Sequence, residues 1–280
     1  MCIILSLLLD KIYLIFITLL LNFHSSAAQS WSHTNQNSWS GSCQTGQSQS
    51  PIELTDTAVI SIRLPDLILE NIEYFDTVDV SNNGHGVTLN FDRSTSAQPR
   101  LYFKGLSFAD FTLASAHFHW PSEHSINGEL HNLELHFVFY STKYATLTEA
   151  LEVPNHVTVL AVLYDCDDDD DPESHVNFEI INNAVKNVES LAGSTVQAAG
   201  GITLKNLLPD DYQSFYAYNG SLTTPGCNEG VNWIVLKDSV DINEHDLENL
   251  IDNILTSTGE ELTFNNRNLQ PLNGRIIYST

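Results

Sequence analysis

Three histidines in two strand-like segments constrain the fold of this chain more than any other feature. Five of the eleven histidines cluster here, among them His117 and His119, which are two residues apart. Side chains at i and i+2 of a strand point to the same face, so these two imidazoles aim in one direction. His136 lies in a second apolar run, residues 133–140, and the Asn127-Gly128 pair between the runs is a turn signal. If the two runs pair antiparallel, three imidazoles converge on one side of a sheet.

Three neutral nitrogen ligands with an open fourth position are the ligand set of a catalytic zinc site. A single histidine on an apolar strand is usually a packed core residue, and two at this spacing occasionally arise by chance. Three histidines on neighbouring strands, with Glu123 and Glu134 interleaved, are much harder to explain as packing. The pattern therefore predicts that His117, His119 and His136 bind Zn²⁺.

The motifs around these histidines resemble those of the alpha class of carbonic anhydrases. The matching blocks follow the order of that family from about Trp31 to Arg275, nearly the whole chain after its first thirty residues. One block alone would be weak, but together they are specific. The blocks are His117-Phe118-His119-Trp120, Ser122-Glu123-His124, Glu134-Leu135-His136, Ser221-Leu222-Thr223-Thr224-Pro225-Gly226-Cys227, Asn82-Asn83-Gly84-His85, Gln49-Ser50-Pro51-Ile52, and the segment from Asn265 to Leu272.

The resemblance implies a lyase that reversibly hydrates carbon dioxide to bicarbonate and a proton. In that family a zinc-bound hydroxide attacks the carbon, because zinc lowers the pKa of bound water to about 7, a value established for carbonic anhydrases themselves. Thr223 matches the residue whose hydroxyl accepts the proton of that hydroxide, and Glu123 matches the carboxylate that accepts from the threonine. His85 matches the proton shuttle at the rim of the cavity, a role that suits a histidine near neutral pH.

The resemblance also assigns supporting roles around the ion. Each ligand ring is expected to be oriented by a neighbouring group. Glu134 is expected to orient His136, the backbone carbonyl of Asn265 to orient His119, and Ser115 to orient His117. His124 matches a buried structural histidine that Tyr216 or Tyr218 supports. The substrate site is expected at an apolar wall with Thr224 beside it, the wall being Val138, Val159, Leu222 and Trp233.

Besides Thr88, which stands where an asparagine is common, two positions depart from the family pattern. Ser115 replaces a common glutamine, which leaves the orientation of His117 looser or dependent on water. His33 replaces a tyrosine, which alters the solvent network near the shuttle. Neither change removes a zinc ligand, so an altered rate is expected rather than lost activity.

The fold class predicted from the sequence is α+β in a single domain, residues 29–280. Short runs rich in β-branched and aromatic residues predict strands at residues 87–91, 113–120, 133–140, 157–164 and 231–236. Helical spacing is confined to residues 148–151, 178–192 and 244–254. The resemblance adds a large twisted, mostly antiparallel sheet with peripheral helices and a conical zinc cavity.

Residues 1–28 read as a secretory signal peptide. An apolar run at residues 12–21 follows Lys11 and precedes Ser26-Ala27-Ala28, a small-residue cleavage signal. The alternative is an uncleaved membrane anchor, which the shortness of the run disfavours. No second apolar stretch of spanning length follows, so neither a stable membrane span nor a glycolipid-anchor tail is expected. The predicted location is extracellular.

The cysteines agree with secretion. In secreted relatives of the resembled family, cysteines at the positions of Cys43 and Cys227 form a disulfide, so that bond is expected here. Cys2 leaves with the signal peptide. The sequence leaves the state of Cys166 open between a thiol and a bond to another molecule.

The formal net charge of −24 makes nucleic acid an unsuitable partner, because binding to backbone phosphates requires cations. The acidity is densest from Asp167 through Asp171. Such a run is usually a solvated loop, which is the favoured interpretation. The alternative is contact with calcium or a mineral surface, because hard cations take carboxylate oxygens.

Two other functions compete with a carbon dioxide hydratase. A non-catalytic binding module on the same fold is disfavoured, because all three ligands are present together with Glu123 and Thr223. A mineral-associated matrix protein would use the acidity of the chain.

Asn219-Gly220-Ser221 is a glycosylation sequon, although the resemblance places it near the cavity, which argues against a glycan there.

Overall fold

A long, mixed but mostly antiparallel sheet is the central feature of the fold. The computed structural model describes residues 31–73, 75, 77–91, 98–106, 110–166, 172–252 and 254–280. Within these residues, ten strands follow the path β12-β4-β5-β7-β10-β11-β14-β13-β16-β2, while β6 adds to β7, β3 to β6 and β15 to β11. The strands are β1 Glu53–Leu54, β2 Val59–Ser61, β3 Leu67–Glu70, β4 Val78–Asn82, β5 Val87–Phe91, β6 Arg100–Phe103, β7 Asp110–His119, β8 Ser125–Ile126, β9 Glu129–Leu130, β10 Leu133–Ser141, β11 Val157–Cys166, β12 Thr195–Gln197, β13 Phe215–Ser221, β14 Glu229–Leu236, β15 Val240–Ile242 and β16 Ile277–Ser279.

Helices are few and short, which agrees with the predicted α+β class of a single domain. The α-helices are α1 Ser42–Thr45, α2 Leu147–Leu151, α3 Pro172–Val185 and α4 Glu244–Ile251. Three 3₁₀ turns lie at His33–Ser38, Asp56–Ala58 and Leu204–Leu207. His33–Thr280 form one compact unit.

The sheet is antiparallel around the histidines and parallel further along. Strand β7 pairs antiparallel with β10, and β10 with β11. Parallel pairing occurs between β11 and β14, between β11 and β15, and between β16 and β2. The Asn127-Gly128 turn lies between β8 and β9, and both residues have positive φ (51° and 89°), as a tight hairpin turn requires.

All five predicted strands are present, with ends shifted by a few residues. Two helix boundaries were wrong. Helix α3 begins at Pro172, where proline suits the first helical position, and ends at Val185 rather than near residue 192. Apolar spacing continues beyond the helix because Val188, in the following turn, still packs in the core. Helix α4 ends at Ile251 because the next residue, Asp252, is extended.

Both faces of the central sheet are apolar, and each packs into its own core cluster. Phe118, Phe137 and Leu160 belong to the cluster that also includes residues of α3 and α4. Val138, Val159 and Trp233 belong to the cluster on the opposite face, which continues from the histidine site. Alternation along each strand assigns successive side chains to the two faces.

A disulfide joins Cys43 to Cys227, as the resemblance implied, and links two cysteines that are 184 residues apart in the sequence. Cys166 is half-buried and takes no part in this bond.

Two expectations, the signal peptide at residues 1–28 and the acidic run from Asp167 through Asp171, lie outside the described residues. Calcium contact therefore stays a prediction. In the part of the chain that the structure describes, no helix is long and apolar enough to cross a membrane.

Candidate metal centre

Three imidazoles meet on one face of the β7–β10 ladder. His136 lies directly opposite His117 in the register, and His119 follows two residues along β7. The ring centroids are 4.9 Å apart for His117 and His119, 5.2 Å for His117 and His136, and 4.6 Å for His119 and His136. One nitrogen from each ring lies within 4.8 Å of the others. A single small cation between them would be within reach of all three.

Hydrogen bonds fix which nitrogen two of these rings present to the centre. His119 Nδ1 donates to the backbone carbonyl of Asn265 (3.0 Å), which leaves Nε2 buried with no hydrogen-bond partner among the described residues. His136 Nε2 donates to Glu134 Oε1 (2.7 Å), which leaves Nδ1 for the centre. Glu134 therefore contacts the ring of His136, and the Asn265 carbonyl contacts the ring of His119. No hydrogen bond joins Ser115 to His117 within the described residues, so orientation by Ser115 stays a prediction.

Glu134 is the hub of a buried network behind His136. Its Oε2 accepts from the backbone N–H groups of Glu123 and His124, both at 2.8 Å. Its Oε1 also accepts from His124 Nδ1 (2.7 Å), and the Tyr218 hydroxyl lies 2.7 Å from His124 Nε2. These charge-assisted bonds keep the pKa of Glu134 well below its usual value despite the opposing effect of complete burial.

The cluster of His124, Glu134 and His136 satisfies simple distance criteria for a metal site. However, the network occupies both nitrogens of His124, so we interpret this cluster as hydrogen bonding rather than ligation. Tyr218, not Tyr216, supports His124. The Tyr216 hydroxyl instead bonds Asp56.

Glu123 and Thr223 lie together beside the imidazoles, and both are buried. Glu123 Oε1 accepts from the backbone N–H of Arg267 (2.8 Å), and Oε2 lies 3.9 Å from His136 Nδ1. Oε2 has no partner of full hydrogen-bond geometry in the described chain. Burial raises the pKa of Glu123 to about 7, while the nearby His136 and the hydroxyl of Thr223 partly offset this rise. A cation at the centre would lower that pKa further.

The predicted apolar wall is a row across the same face of the sheet. In the register, Val138 pairs with Val159, and Val159 with Trp233. The Trp233 ring packs 4.9 Å from that of His136. Leu222 packs against this cluster, and the backbone carbonyl of Thr224 accepts from Cys227, next to the disulfide.

His85 lies on the turn before β5 and is half-buried, which lowers its pKa. Its ring centroid is 6.1 Å from that of His33, which is itself buried beside Trp39. Desolvation lowers the pKa of His33 to about 3, helped by repulsion from His119 and His85. The rings of His33, His85 and His119 therefore share one region of the molecule.

Burial also sets the charge of the ligands. It lowers the pKa of His117 well below its usual value, that of His119 to about 4, and that of His136. Neutral imidazoles with free lone pairs are what a metal requires. The orphaned His119 Nε2, the three converging nitrogens and their neutral state all fit a zinc ion.

Two contributions were missed by the sequence reasoning. The guanidinium of Arg267 is buried and donates to Gln49 Oε1 and to the carbonyls of Ser50 and Cys43. These bonds tie the N-terminal segment to the irregular C-terminal segment whose backbone donates to Glu123. The side chain of Asn265 bonds the carbonyls of His85 and Phe118, linking the His85 turn to β7. Only the Asn-Asn-Arg motif signalled either residue.

A mostly antiparallel sheet carries three converging imidazoles that could hold a metal ion, with a buried carboxylate-threonine pair and apolar side chains beside them. Residues 28–280 match the family described as eukaryotic-type carbonic anhydrase. The chain belongs to the carbonic anhydrase family, and the alpha-class fold and enzyme class expected from the motifs are thereby confirmed.

Individual relatives agree with the family match. The chain is 31% identical to carbonic anhydrase 6 of Mus musculus over 246 residues, covering 83% of this chain and 73% of that protein. It is 33% identical to a carbonic anhydrase of Neisseria gonorrhoeae over 236 residues, covering 84% and 78%. Among solved structures, the alpha-carbonic anhydrase from Thermovibrio ammonificans in complex with sulfanilamide superposes with a TM-score of 0.66 at 29% identity, covering 85% of this chain and 89% of that one.

Proposed function

We propose that this chain is a secreted, zinc-dependent enzyme that hydrates carbon dioxide reversibly, with His85 as its proton shuttle. Family membership supports the hydration reaction. The observation that carries the zinc assignment is the convergence of one nitrogen from each of His117, His119 and His136 within 4.8 Å. When bound, zinc would act as a Lewis acid that makes a water-derived nucleophile available near neutral pH.

The three ligands are prepared to bind the ion without losing protons. Their lowered pKa values keep the imidazoles neutral at physiological pH. The carbonyl of Asn265 holds the proton of His119 on Nδ1, and Glu134 holds that of His136 on Nε2. Each ring therefore offers a lone pair in a fixed direction, which reduces the reorganisation that accompanies metal binding.

Thr223 and Glu123 orient the attacking oxygen. With a cation at the centre favouring the ionised form of Glu123, the Thr223 hydroxyl would donate to that carboxylate, which leaves the threonine lone pairs as acceptors for the proton of the nucleophile. Glu123 is held in place by Arg267 N–H and so defines the direction of the threonine. Because the threonine accepts the proton of the nucleophile from one direction, a lone pair of the nucleophile points at the substrate carbon.

The substrate has no net charge and accepts hydrogen bonds weakly, so an apolar surface is the appropriate binding site. Val138, Val159 and Trp233 are each at most 7% exposed and form one continuous row next to His136. Leu222 extends the row, and Thr224 supplies a polar edge for the product. Weak binding of this kind also lets the charged product leave.

His85 exchanges protons between the centre and the buffer. It is half-buried on a turn whose backbone is held by Asn265, and its ring contacts that of His33. Gly86 permits this arrangement, since a Cβ at that position would lie 2.6 Å from Asn265 Nδ2. A histidine with access to both the interior and solvent can change its protonation in the working pH range.

Secretion is supported by the leader-like composition of residues 1–28 and by the Cys43–Cys227 disulfide, since such bonds persist in oxidising compartments. The family match also begins at residue 28.

A ligand substitution tests the zinc assignment. His117→Ala is expected to lose both bound zinc, measured by elemental analysis, and carbon dioxide hydration, measured by stopped flow. His156→Ala is the matched control, because His156 is not one of the converging histidines and its ring packs edge-on against Tyr144, so zinc content and hydration should be unchanged. Full hydration by a zinc-free His117→Ala protein would refute the assignment.

A further inference from the structure

Strand β13 presents different chemistry on its two faces. Tyr218 points toward the metal centre, where it contacts His124. Because successive side chains of a strand alternate, the neighbouring Asn219 points to the opposite face. There it lies across from Asn232 on β14, and its amide donates to Asn155 Oδ1 (2.7 Å). Asn219 therefore faces away from the zinc ligands, which removes the objection to a glycan at this sequon.

The face that carries Asn219 contains a groove of about 810 Å³. Asn155, Asn219 and Asn232 lie at its polar end, while its floor is apolar. Ala217, Ile234 and Tyr278 form a row of directly paired residues on that floor, and Tyr278 is 38% exposed. A volume of this size is within the range that accommodates a small organic group.

Packing fixes two residues of the sequon, whereas the third is exposed and makes a side-chain hydrogen bond to Asn155. A Cβ on Gly220 would lie 2.0 Å from Ser50 Oγ, so the position requires glycine. Ser221 is fully buried, and its hydroxyl accepts from the backbone N–H of Ser50 (2.9 Å). Asn219 is exposed, and it belongs to the one Asn-x-Ser/Thr sequence in the chain.

We propose that Asn219 carries an N-linked glycan whose first N-acetylglucosamine lies over this groove. This inference rests on the proposed secretion, because the transfer takes place in the secretory pathway. The donor is a lipid-linked oligosaccharyl diphosphate. A bond forms between Asn219 Nδ2 and C1 of the sugar, the bond from C1 to the diphosphate oxygen breaks, and the diphosphate leaves with the electron pair. One amide proton passes to a base of the transferase.

The glycosylated side chain remains compatible with the observed contacts. The substituted amide keeps one N–H, which can still donate to Asn155 Oδ1. The C–H face of the sugar ring can cover the apolar floor at Ala217 and Tyr278, whereas its hydroxyls remain near the asparagines. Covering this surface removes an apolar patch that would otherwise face water.

Translation of the full chain in the presence of endoplasmic reticulum microsomes tests the site. We expect a protease-protected product that is heavier by one glycan and returns to its unmodified mass with an N-glycosidase. Asn219→Gln should lose the shift, and Asn232→Gln, the matched change on the facing strand, should retain it. A protected product without the shift would overturn the glycan and leave secretion standing. An unprotected product would overturn both.

The predicted position of the sugar over the groove is tested on folded, secreted protein. Asn219→Gln should bind more of a fluorescent apolar probe than the glycosylated wild type, because the groove is uncovered. Its hydration activity should be unchanged, since Asn219 lies on the face away from the metal centre. Equal probe binding by the two proteins would contradict the placement of the sugar over the groove.

Discussion

Replacing Glu134 with glutamine tests whether the buried network prepares the metal site. The carboxylate of Glu134 accepts four hydrogen bonds, two on each oxygen, from His124 Nδ1, His136 Nε2 and two backbone N–H groups. A glutamine keeps the volume but has one acceptor oxygen. Its NH₂ group must therefore face two donors, whichever way the amide is turned.

The expected cost follows from these contacts. Loss of a carboxylate that orients a metal-bound histidine typically lowers metal affinity by about 10–100-fold, or roughly 1.4–2.7 kcal/mol. Two buried donors left without acceptors cost about 1–3 kcal/mol each, so the unfolding free energy of the metal-free protein should fall by roughly 2–6 kcal/mol.

Competition with a chromophoric chelator at fixed pH measures the zinc affinity, and urea unfolding measures the stability. Glu149→Gln is the matched control, because Glu149 is exposed at the start of α2 and a glutamine can still accept from the backbone N–H of Ala145. It should leave zinc affinity unchanged and stability within about 0.5 kcal/mol. An unchanged zinc affinity in Glu134→Gln would refute the idea that this carboxylate holds the ring of His136.

Four further predictions follow from other parts of the structure. His85→Ala should lower hydration turnover mainly at low buffer concentration, and an equal loss at all buffer concentrations would count against a shuttle. Cys43→Ser should lower the free energy of unfolding by about 2–5 kcal/mol, because the disulfide restricts a very long loop in the unfolded chain; an unchanged midpoint in urea would contradict this. Because burial keeps the pKa of His119 near 4, below the 6.5 of an unfolded histidine, protons compete poorly with zinc until the pH approaches 4. Zinc titrations should therefore show affinity persisting through pH 6.5, and a half-loss near pH 6.5 would disprove this protection. If the acidic run binds calcium, replacing Asp167 through Asp171 with asparagine should abolish calcium uptake in equilibrium dialysis, and unchanged uptake would end that hypothesis.

Much of the site could be anticipated because strand periodicity is a local property. The i, i+2 spacing of His117 and His119 sets their common face, and an apolar run around His136 indicates the second strand. The register that brings His136 opposite His117 depends on the pairing of whole strands, which no local pattern specifies.

Long-range contacts were the least accessible to sequence reasoning. Arg267 reaches Gln49 and Cys43 across more than two hundred residues, and only the folded chain shows that its guanidinium anchors the N-terminal segment. The end of α3 was misjudged because Val188 continues the apolar spacing while the backbone has already left the helix. The direction of the Asn219 side chain could be assigned only from the structure. Tyr218 contacts His124, so the next residue on β13 must point to the opposite face.

Parallel measurement of bound zinc and carbon dioxide hydration during stepwise removal of metal by a chelator tests the central claim most directly. The account predicts that activity falls in proportion to bound zinc and reaches the uncatalysed rate when no zinc remains bound to His117, His119 and His136. Activity should return when one equivalent of zinc is restored. Sustained turnover by protein without metal would contradict it.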